Sequence, residues 1–120
     1  MRRVTAVLPA VLLLVAALSG CDVMKRISEG AYRNAVADGA AVELGERGVR
    51  LRGRLSCTTR AGRPESVMRI RCTGRTAEGA PVVVAGVATE ADTRRPREHY
   101  VITVGGRSVM TADCLGRACT

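Results

Sequence analysis

The side chains that could perform acid–base or nucleophilic chemistry are few in this chain and form no recognisable catalytic motif. His99 is the only histidine. Asp92, Asp113 and Ser108 could approach it in the folded chain, but the Gly-x-Ser-x-Gly motif of serine hydrolases does not occur. The other loop carboxylates lack a paired spacing that indicates acid–base catalysis, and no phosphate-loop pattern is present. We therefore expect a protein that is not an enzyme and needs no cofactor.

The five cysteines offer a second kind of chemistry, which is covalent cross-linking or metal binding. No Cys-x-x-Cys pair is present, and such pairs are typical of zinc sites and of redox-active motifs. His99 is distant in sequence from every cysteine. We therefore expect the cysteines to be structural, with no metal site.

Cys21 stands apart from the other cysteines because it ends an N-terminal apolar segment. Arg2 and Arg3 precede the largely apolar residues 4–18, and Leu18-Ser19-Gly20 comes directly before the cysteine. This is the order of a secretory signal, with a basic start, an apolar run and a cleavage site of small residues. A transmembrane helix needs about twenty apolar residues, so a membrane span is the weaker alternative. An ordinary signal peptide is the other alternative.

The tetrapeptide Leu-Ser-Gly-Cys resembles a bacterial lipobox. In lipobox proteins a diacylglyceryl group carrying fatty acids such as palmitate is attached to the cysteine sulfur, and the signal is cut just before that residue. The resemblance implies a signal peptide over residues 1–20 and a mature chain that starts at a lipidated Cys21. It also implies a membrane-anchored lipoprotein on the extracytoplasmic face of the cell membrane.

If Cys21 carries the lipid, four cysteines remain and three pairings are possible. We favour Cys57–Cys72 and Cys114–Cys119, because the members of each pair are close in sequence and belong to one local structure. The oxidising side of the membrane permits both bonds. The chain has no Trp or Phe and only two Tyr. A small aliphatic core buries little area, and disulfides are the expected compensation.

Arginine supplies almost all of the positive charge, since Lys25 is the only lysine among 19 basic residues and the net charge is +8. We expect several arginines to share one face of a sheet, with Arg54 opposite Arg75. Like charges directly opposed destabilise a strand pair, so such a face suits an anionic partner. Phospholipid headgroups and cell-wall polyphosphates are the natural candidates. The candidate anion-binding residues are Arg50, Arg52, Arg54, Arg69, Arg71 and Arg75.

The arginine face has two alternative interpretations. The arginines could form a solvated face that merely resists edge-to-edge aggregation. They could also bind nucleic acid, but no stacking aromatic side chains alternate with them and export excludes most such targets. We therefore expect no nucleic-acid partner.

Residues 21–48 are predicted to hold the lipidated N-terminus, a short helix and a tether. The apolar spacing predicts the helix over residues 22–37, and Asp38-Gly39 is expected to end it. Residues 39–48 are then the tether that lifts the domain from the membrane. The alternative is that the helix packs on the sheet.

Residues 49–120 are predicted to form a disulfide-stapled β domain. Two-residue alternation predicts strands over residues 49–58 and 68–73, with both cysteines on the apolar face. Residues 81–88 are apolar on both faces and predict a central strand covered on both sides. Gly105-Gly106 predicts a two-residue hairpin that places Val109 opposite Ile102. The fold class is therefore mainly β, a small antiparallel meander of about five strands with a short N-terminal helix.

The cysteine pair, a Thr-x-x-Gly turn, the Gly-Gly hairpin and the final Asp-Cys-Leu-Gly-x-x-Cys are similar to small actinobacterial, Streptomyces-like lipoproteins. The Arg, Ala, Gly and Val bias agrees with a GC-rich source. The resemblance implies a compact extracytoplasmic β domain, and it brings no assigned activity.

Two functional hypotheses follow. The first is a non-catalytic binding or accessory module at the cell envelope that contacts anionic lipid or wall polymer through the arginine face. The second is a protein-interaction or enzyme-inhibitor module that docks an envelope or secreted protein through the charged loop 89–98.

Overall fold

The computed structural model describes residues 28–63 and 66–119, and these form a helix lying on a five-stranded sheet. Each strand pairs antiparallel with the next one in the chain. This confirms the predicted mainly β meander with an N-terminal helix. The predicted signal peptide and Cys21 lie outside the described residues. The elements are helix α1 over residues 28–46, strands β1 (Ser56–Ala61), β2 (Met68–Arg75), β3 (Pro81–Thr89), β4 (Arg97–Val104) and β5 (Arg107–Ala112), and a 3-10 helix (Gly116–Cys119).

Helix α1 is longer than predicted, and its second half is part of the core. Val36, Ala37, Ala40 and Leu44 are buried and recur at the three- and four-residue spacing of one helix face. They pack against the sheet in one hydrophobic cluster. The predicted tether over residues 39–48 is therefore wrong, because most of that segment is helix and carries core side chains.

Two glycines explain where the helix really ends. Gly39 does not terminate it: a Cβ at this position would lie 2.9 Å from the Cβ of Leu115, so glycine lets the C-terminal segment approach the helix. Gly48 does terminate it, with a φ of 76°. The Gly48 amide donates to the carbonyl of Gly45, and the Val49 amide donates to that of Leu44. This is the Schellman pattern of a helix C-terminus.

The first strand begins later than its alternating sequence predicts. Gly53 has a φ of 74°, which breaks the extended backbone. Before it, Leu51 forms only an isolated bridge to Thr76. Regular pairing of β1 with β2 starts at Ser56, so the predicted strand over residues 49–58 is corrected to Ser56–Ala61.

The sheet has one face packed against α1 and one open face. Ile70, Cys72, Val82, Val84 and Ile102 are buried on the packed face. The opposite side of β3 is not closed in the described residues, where Ala85 is exposed and Val83 and Val87 are half-buried. Within residues 28–63 and 66–119, β3 is therefore covered on one face and not on both as predicted.

Room for the largest core side chain is made by another glycine. Tyr100 is 2% exposed and lies directly across from Gly86 on β3. A Cβ at Gly86 would lie 2.5 Å from the Tyr100 ring. The aromatic ring therefore packs onto bare backbone, and this close approach helps a core with few aromatics to fill its volume.

The Gly-Gly hairpin forms as predicted, but its register does not continue as predicted. Gly105 and Gly106 have φ values of 59° and 80°, which suit a type I′ turn. The pairing shifts after Thr103↔Ser108, so that Ile102 faces Met110. Val109 is left as the extra residue of a β-bulge, and the predicted Val109–Ile102 pair is corrected accordingly.

Both predicted disulfides are present. Cys57–Cys72 joins directly opposed residues of β1 and β2, with Cα atoms 4.0 Å apart. Cys114–Cys119 closes the C-terminal turn. The Cys57 bond closes a loop over a sequence separation of 15 residues. In the chain-entropy model a loop of that size contributes about 3 kcal/mol.

Candidate anion-binding face

The open side of the sheet, here called the outer face, is defined by the register of the five strands. Side chains alternate between faces along a strand, and directly paired residues share a face. The outer positions of β1, β2 and β3 hold no Asp or Glu at all, because these three strands contain none. Their outer residues are Ser56, Thr58 and Arg60 on β1, Arg69, Arg71, Thr73 and Arg75 on β2, and Pro81, Val83, Ala85, Val87 and Thr89 on β3.

Three arginines form the centre of positive charge on this face, and we call Arg60, Arg69 and Arg71 the arginine cluster. Arg60 lies directly opposite Arg69 across β1 and β2. Arg71 is two residues further along the same face of β2, about 7 Å away along the strand. All three are exposed. Arg69 and Arg71 were predicted, whereas Arg60 was missed because it lies beyond the end of the predicted strand.

The arginine cluster has no acidic partner among the residues that the structure describes. The acidic side chains that form ion pairs do so elsewhere: Glu43 with Arg47, Asp38 with Arg54, Glu90 with Arg97, and Asp113 with His99. The direct Arg60–Arg69 opposition is destabilising by itself. The cross-strand disulfide joins the same two strands and offsets part of that cost.

The other predicted arginines do not join the cluster. Arg54 forms an exposed ion pair with Asp38 of α1, at 2.9 Å, and so lies toward the packed side. Arg52 donates to the carbonyl of Ala77, and Arg75 to that of Gly79, so both support the β2–β3 turn. Arg50 is exposed, and its carbonyl accepts from the Ala77 amide. The predicted Arg54–Arg75 opposition is wrong, because regular strand pairing ends at Ser56↔Thr73.

A groove of about 490 Å³ lies over the arginine cluster. Thr58 contributes a hydroxyl group to its lining, and Ala85 and Gly86 contribute small or absent side chains. Guanidinium groups present several donors in a planar fork that matches carboxylate and phosphate oxygens. The groove can therefore accept phosphate-type oxygens from a ligand that lies across the surface.

The charged loop between β3 and β4 is exposed and is organised by hydrogen bonds within the loop and to Ser66 of the β1–β2 connection. The Thr93 hydroxyl donates to the Glu90 carbonyl at 2.7 Å, and the Ala91 amide donates to the Ser66 carbonyl. Glu90 has a φ of 54°, an uncommon conformation for a residue other than glycine. Arg97 forms an ion pair with Glu90 at 3.5 Å. These contacts give the loop a defined conformation.

His99 lies beside Asp113, one of its predicted partners, but forms no catalytic triad with Ser108. Its Nδ1 lies 3.2 Å from the Oδ1 of Asp113, and both side chains are exposed. Ser108 pairs with Thr103, four residues along β4 from His99, which is about 13 Å. The geometry therefore brings together an acid and an imidazole, but it leaves Ser108 out of reach.

A hydrogen-bonded pair of tyrosines inside the folded domain was not predicted from the sequence. The hydroxyl groups of Tyr32 on α1 and Tyr100 on β4 lie 3.0 Å apart. Burial raises the pKa of both, with Glu98 adding to the effect. The adjacent cavity is only about 50 Å³, against roughly 300 Å³ or more for a small-molecule site. The uncharged tyrosine pair therefore joins α1 to the sheet. The cavity beside it is too small for a substrate.

Within residues 28–63 and 66–119, no group of three potential metal ligands comes together. No helix of that same part of the chain is both long and apolar enough to cross a bilayer. Comparison of the chain with known protein families, with curated proteins and with solved structures finds no match.

Proposed function

We propose that this chain is a membrane-anchored lipoprotein that acts as a non-catalytic binding module at the cell envelope. Its anchor is the lipid on Cys21 suggested by the lipobox-like Leu-Ser-Gly-Cys sequence. Its ligands are phosphate-bearing polyanions, meaning anionic lipid headgroups or cell-wall polymers. Its binding surface is the outer face of the sheet.

The observation that carries this proposal is the arginine cluster. Arg60, Arg69 and Arg71 are exposed, share one face and have no acidic partner in the described residues. A protein that gained nothing from the cluster would be more stable with opposite charges at the Arg60–Arg69 pair. An anionic ligand removes the repulsion and gains charge-assisted hydrogen bonds.

The expected contribution is large enough to measure. Each basic group near an anionic membrane surface contributes about 1 kcal/mol. Three arginines therefore contribute about 3 kcal/mol, which is roughly a hundredfold in affinity. The effect weakens with added salt, because exposed charges are screened over about 8 Å at physiological ionic strength.

The test measures binding of the soluble chain 22–120 to two probes. The first is vesicles that contain phosphatidylglycerol, and the second is a poly(glycerol phosphate) polymer of the teichoic-acid type. We expect this chain to keep its fold, because the core cluster and both disulfides lie within residues 36–119. The triple variant R60Q/R69Q/R71Q is expected to lose about a hundredfold in affinity for the probe that binds.

A charge-matched control is available in the same chain. The variant R47Q/R54Q/R107Q also removes three positive charges. Arg47 and Arg54 are paired with Glu43 and Asp38, and Arg107 begins β5, the strand at the edge of the sheet opposite β1. This variant is expected to lose much less affinity than the cluster variant. Equal losses in both triple variants, or no binding to either probe at low salt, would overturn the proposal.

The charged loop 89–98 is the basis of a second proposal, in which the chain docks an envelope or secreted protein. The specific observation is its preorganised shape, with Glu90 held in a strained conformation, since such residues often occur at binding sites. Failure of both polyanion probes would leave this interaction role as the better proposal.

A further inference from the structure

An apolar strip lies directly beside the arginine cluster on the outer face. It consists of Val83, Ala85 and Val87 on β3 and Val101 on β4. Ala85 pairs with Arg71 on one side and with Val101 on the other, and Val87 pairs with Arg69. Cationic and apolar side chains are therefore immediate cross-strand neighbours on one open surface.

Because this surface is both cationic and apolar, it does not suit every ligand equally well. A second copy of the chain would bring two arginine clusters together, and the chain already carries a net charge of +8. A hydrated wall polymer would satisfy the guanidinium groups but would leave the valines in water. An anionic bilayer offers both kinds of partner, because phosphates lie next to the glycerol and acyl region.

We propose that the outer face lies on an anionic phospholipid bilayer, with the arginine cluster at the phosphates and the apolar strip at the boundary with the acyl chains. The proposal rests on the polyanion-binding function proposed above and names its ligand. The groove over the cluster is lined by all three of its arginines and by Ala85 of the apolar strip, so a ligand there would meet cationic and apolar side chains together. A lipid anchor at Cys21 would keep the domain near the bilayer.

The absence of tryptophan from the chain allows a direct test of orientation. Ala85→Trp places a single fluorophore at an exposed outer position, and Val42→Trp places one on α1, where the native side chain is 53% exposed. Both are made in the soluble chain 22–120. With phosphatidylglycerol vesicles, we expect a blue shift and quenching by brominated lipid for Ala85→Trp and neither for Val42→Trp.

A second reporter protects the test against a folding defect at position 85. Thr73 lies on the exposed outer side of β2, directly opposite Val83, and Thr73→Trp is this second reporter. Circular dichroism and the melting temperature show which reporters keep the fold. Adding R60Q/R69Q/R71Q to a folded reporter is expected to abolish the blue shift at the same vesicle concentration.

The outcomes separate this inference from the broader proposal. Cluster-dependent binding to vesicles without any blue shift or lipid quenching at positions 85 and 73 would refute membrane seating and keep polyanion binding. Tighter cluster-dependent binding to poly(glycerol phosphate) than to vesicles would do the same. Equal quenching at positions 42 and 85 would show that the outer face has no preferred contact with lipid. No cluster-dependent binding to either probe would instead remove the proposed function itself.

Discussion

Replacing Leu44 by Ala tests whether the second half of α1 belongs to the core. Leu44 is 0% exposed and is among the largest fully buried side chains of the described residues. Truncation of a buried leucine costs about 3–5 kcal/mol, which includes the lost transfer energy and the cavity that remains. Val42 lies two residues earlier in the same helix and is 53% exposed, so Val42→Ala is the matched control.

The expected loss is large relative to the stability of a small domain, which is about 5–15 kcal/mol in total. A loss of 1 kcal/mol lowers the melting temperature of a domain of this size by about 4–8 °C. Leu44→Ala should therefore lower it by about 12 °C or more. Val42→Ala should change stability by about 0.5 kcal/mol or less, because no cavity forms and alanine favours the helix.

The change in free energy of unfolding caused by each substitution is measured in the soluble chain 22–120 with both disulfides intact. Thermal and urea unfolding are followed by circular dichroism. If residues 39–48 were a free tether, neither substitution would affect unfolding of the sheet. A loss for Leu44→Ala that does not exceed the loss for Val42→Ala by about 1 kcal/mol would therefore refute the packing described here.

Two further predictions concern the anchor and the tyrosine pair. Cys21→Ser should abolish diacylglyceryl transfer in the full chain, and the protein should leave the detergent phase in a phase-separation assay; unchanged partitioning would contradict lipidation. Burial raises the pKa of Tyr32 and Tyr100 in the folded state, so their contribution to stability is complete below the unfolded value of about 10 and is lost as pH rises above it. Because these are the only tyrosines, alkaline difference absorbance should show no ionisation ahead of unfolding, and early ionisation of both would contradict the buried pair.

The part of the fold that could be predicted is the part where several sequence signals agree. Along β2, the apolar residues and Cys72 alternate with Arg69 and Arg71, so burial of one set and exposure of the other require the same register. A register slip of one residue would bury the arginines and separate the cysteines. The Cys57–Cys72 bond, the register of β1 and β2 at that bond and the strand order were therefore predicted correctly.

The helix end was missed because glycine has more than one structural use. Asp38-Gly39 looks like a helix stop, yet Gly39 serves close packing against Leu115, a residue far away in sequence. Gly48 is the true stop because its positive φ completes the Schellman pattern. Single-sequence patterns do not distinguish these uses, because the Gly39 contact is made by a distant segment.

The candidate site was recovered only in part for a related reason. Residues 49–57 alternate perfectly, but alternation places side chains on one face only while the backbone stays extended. The positive φ of Gly53 interrupts the extended backbone, so Arg50, Arg52 and Arg54 do not continue the outer face of β1. Arg60 joins the site through continued pairing of β1 to Ala61, which is set by its partner strand β2.

The same scarcity of large side chains shapes both faces of the sheet. On the packed face, bare backbone at Gly86 lets Tyr100 sit close, and helix α1 supplies the remaining apolar area. One helix covers one face of a five-stranded sheet, so the outer face stays open in the described unit. Lys, Arg, Glu or Thr would all keep such a face soluble, and a mixture of charges would stabilise it. Strands β1 to β3 carry arginine with no acidic residue and place it beside valine and alanine. That choice costs stability at the Arg60–Arg69 pair, and an anionic, partly apolar surface would relieve the repulsion, which is why we propose that this face binds such a surface.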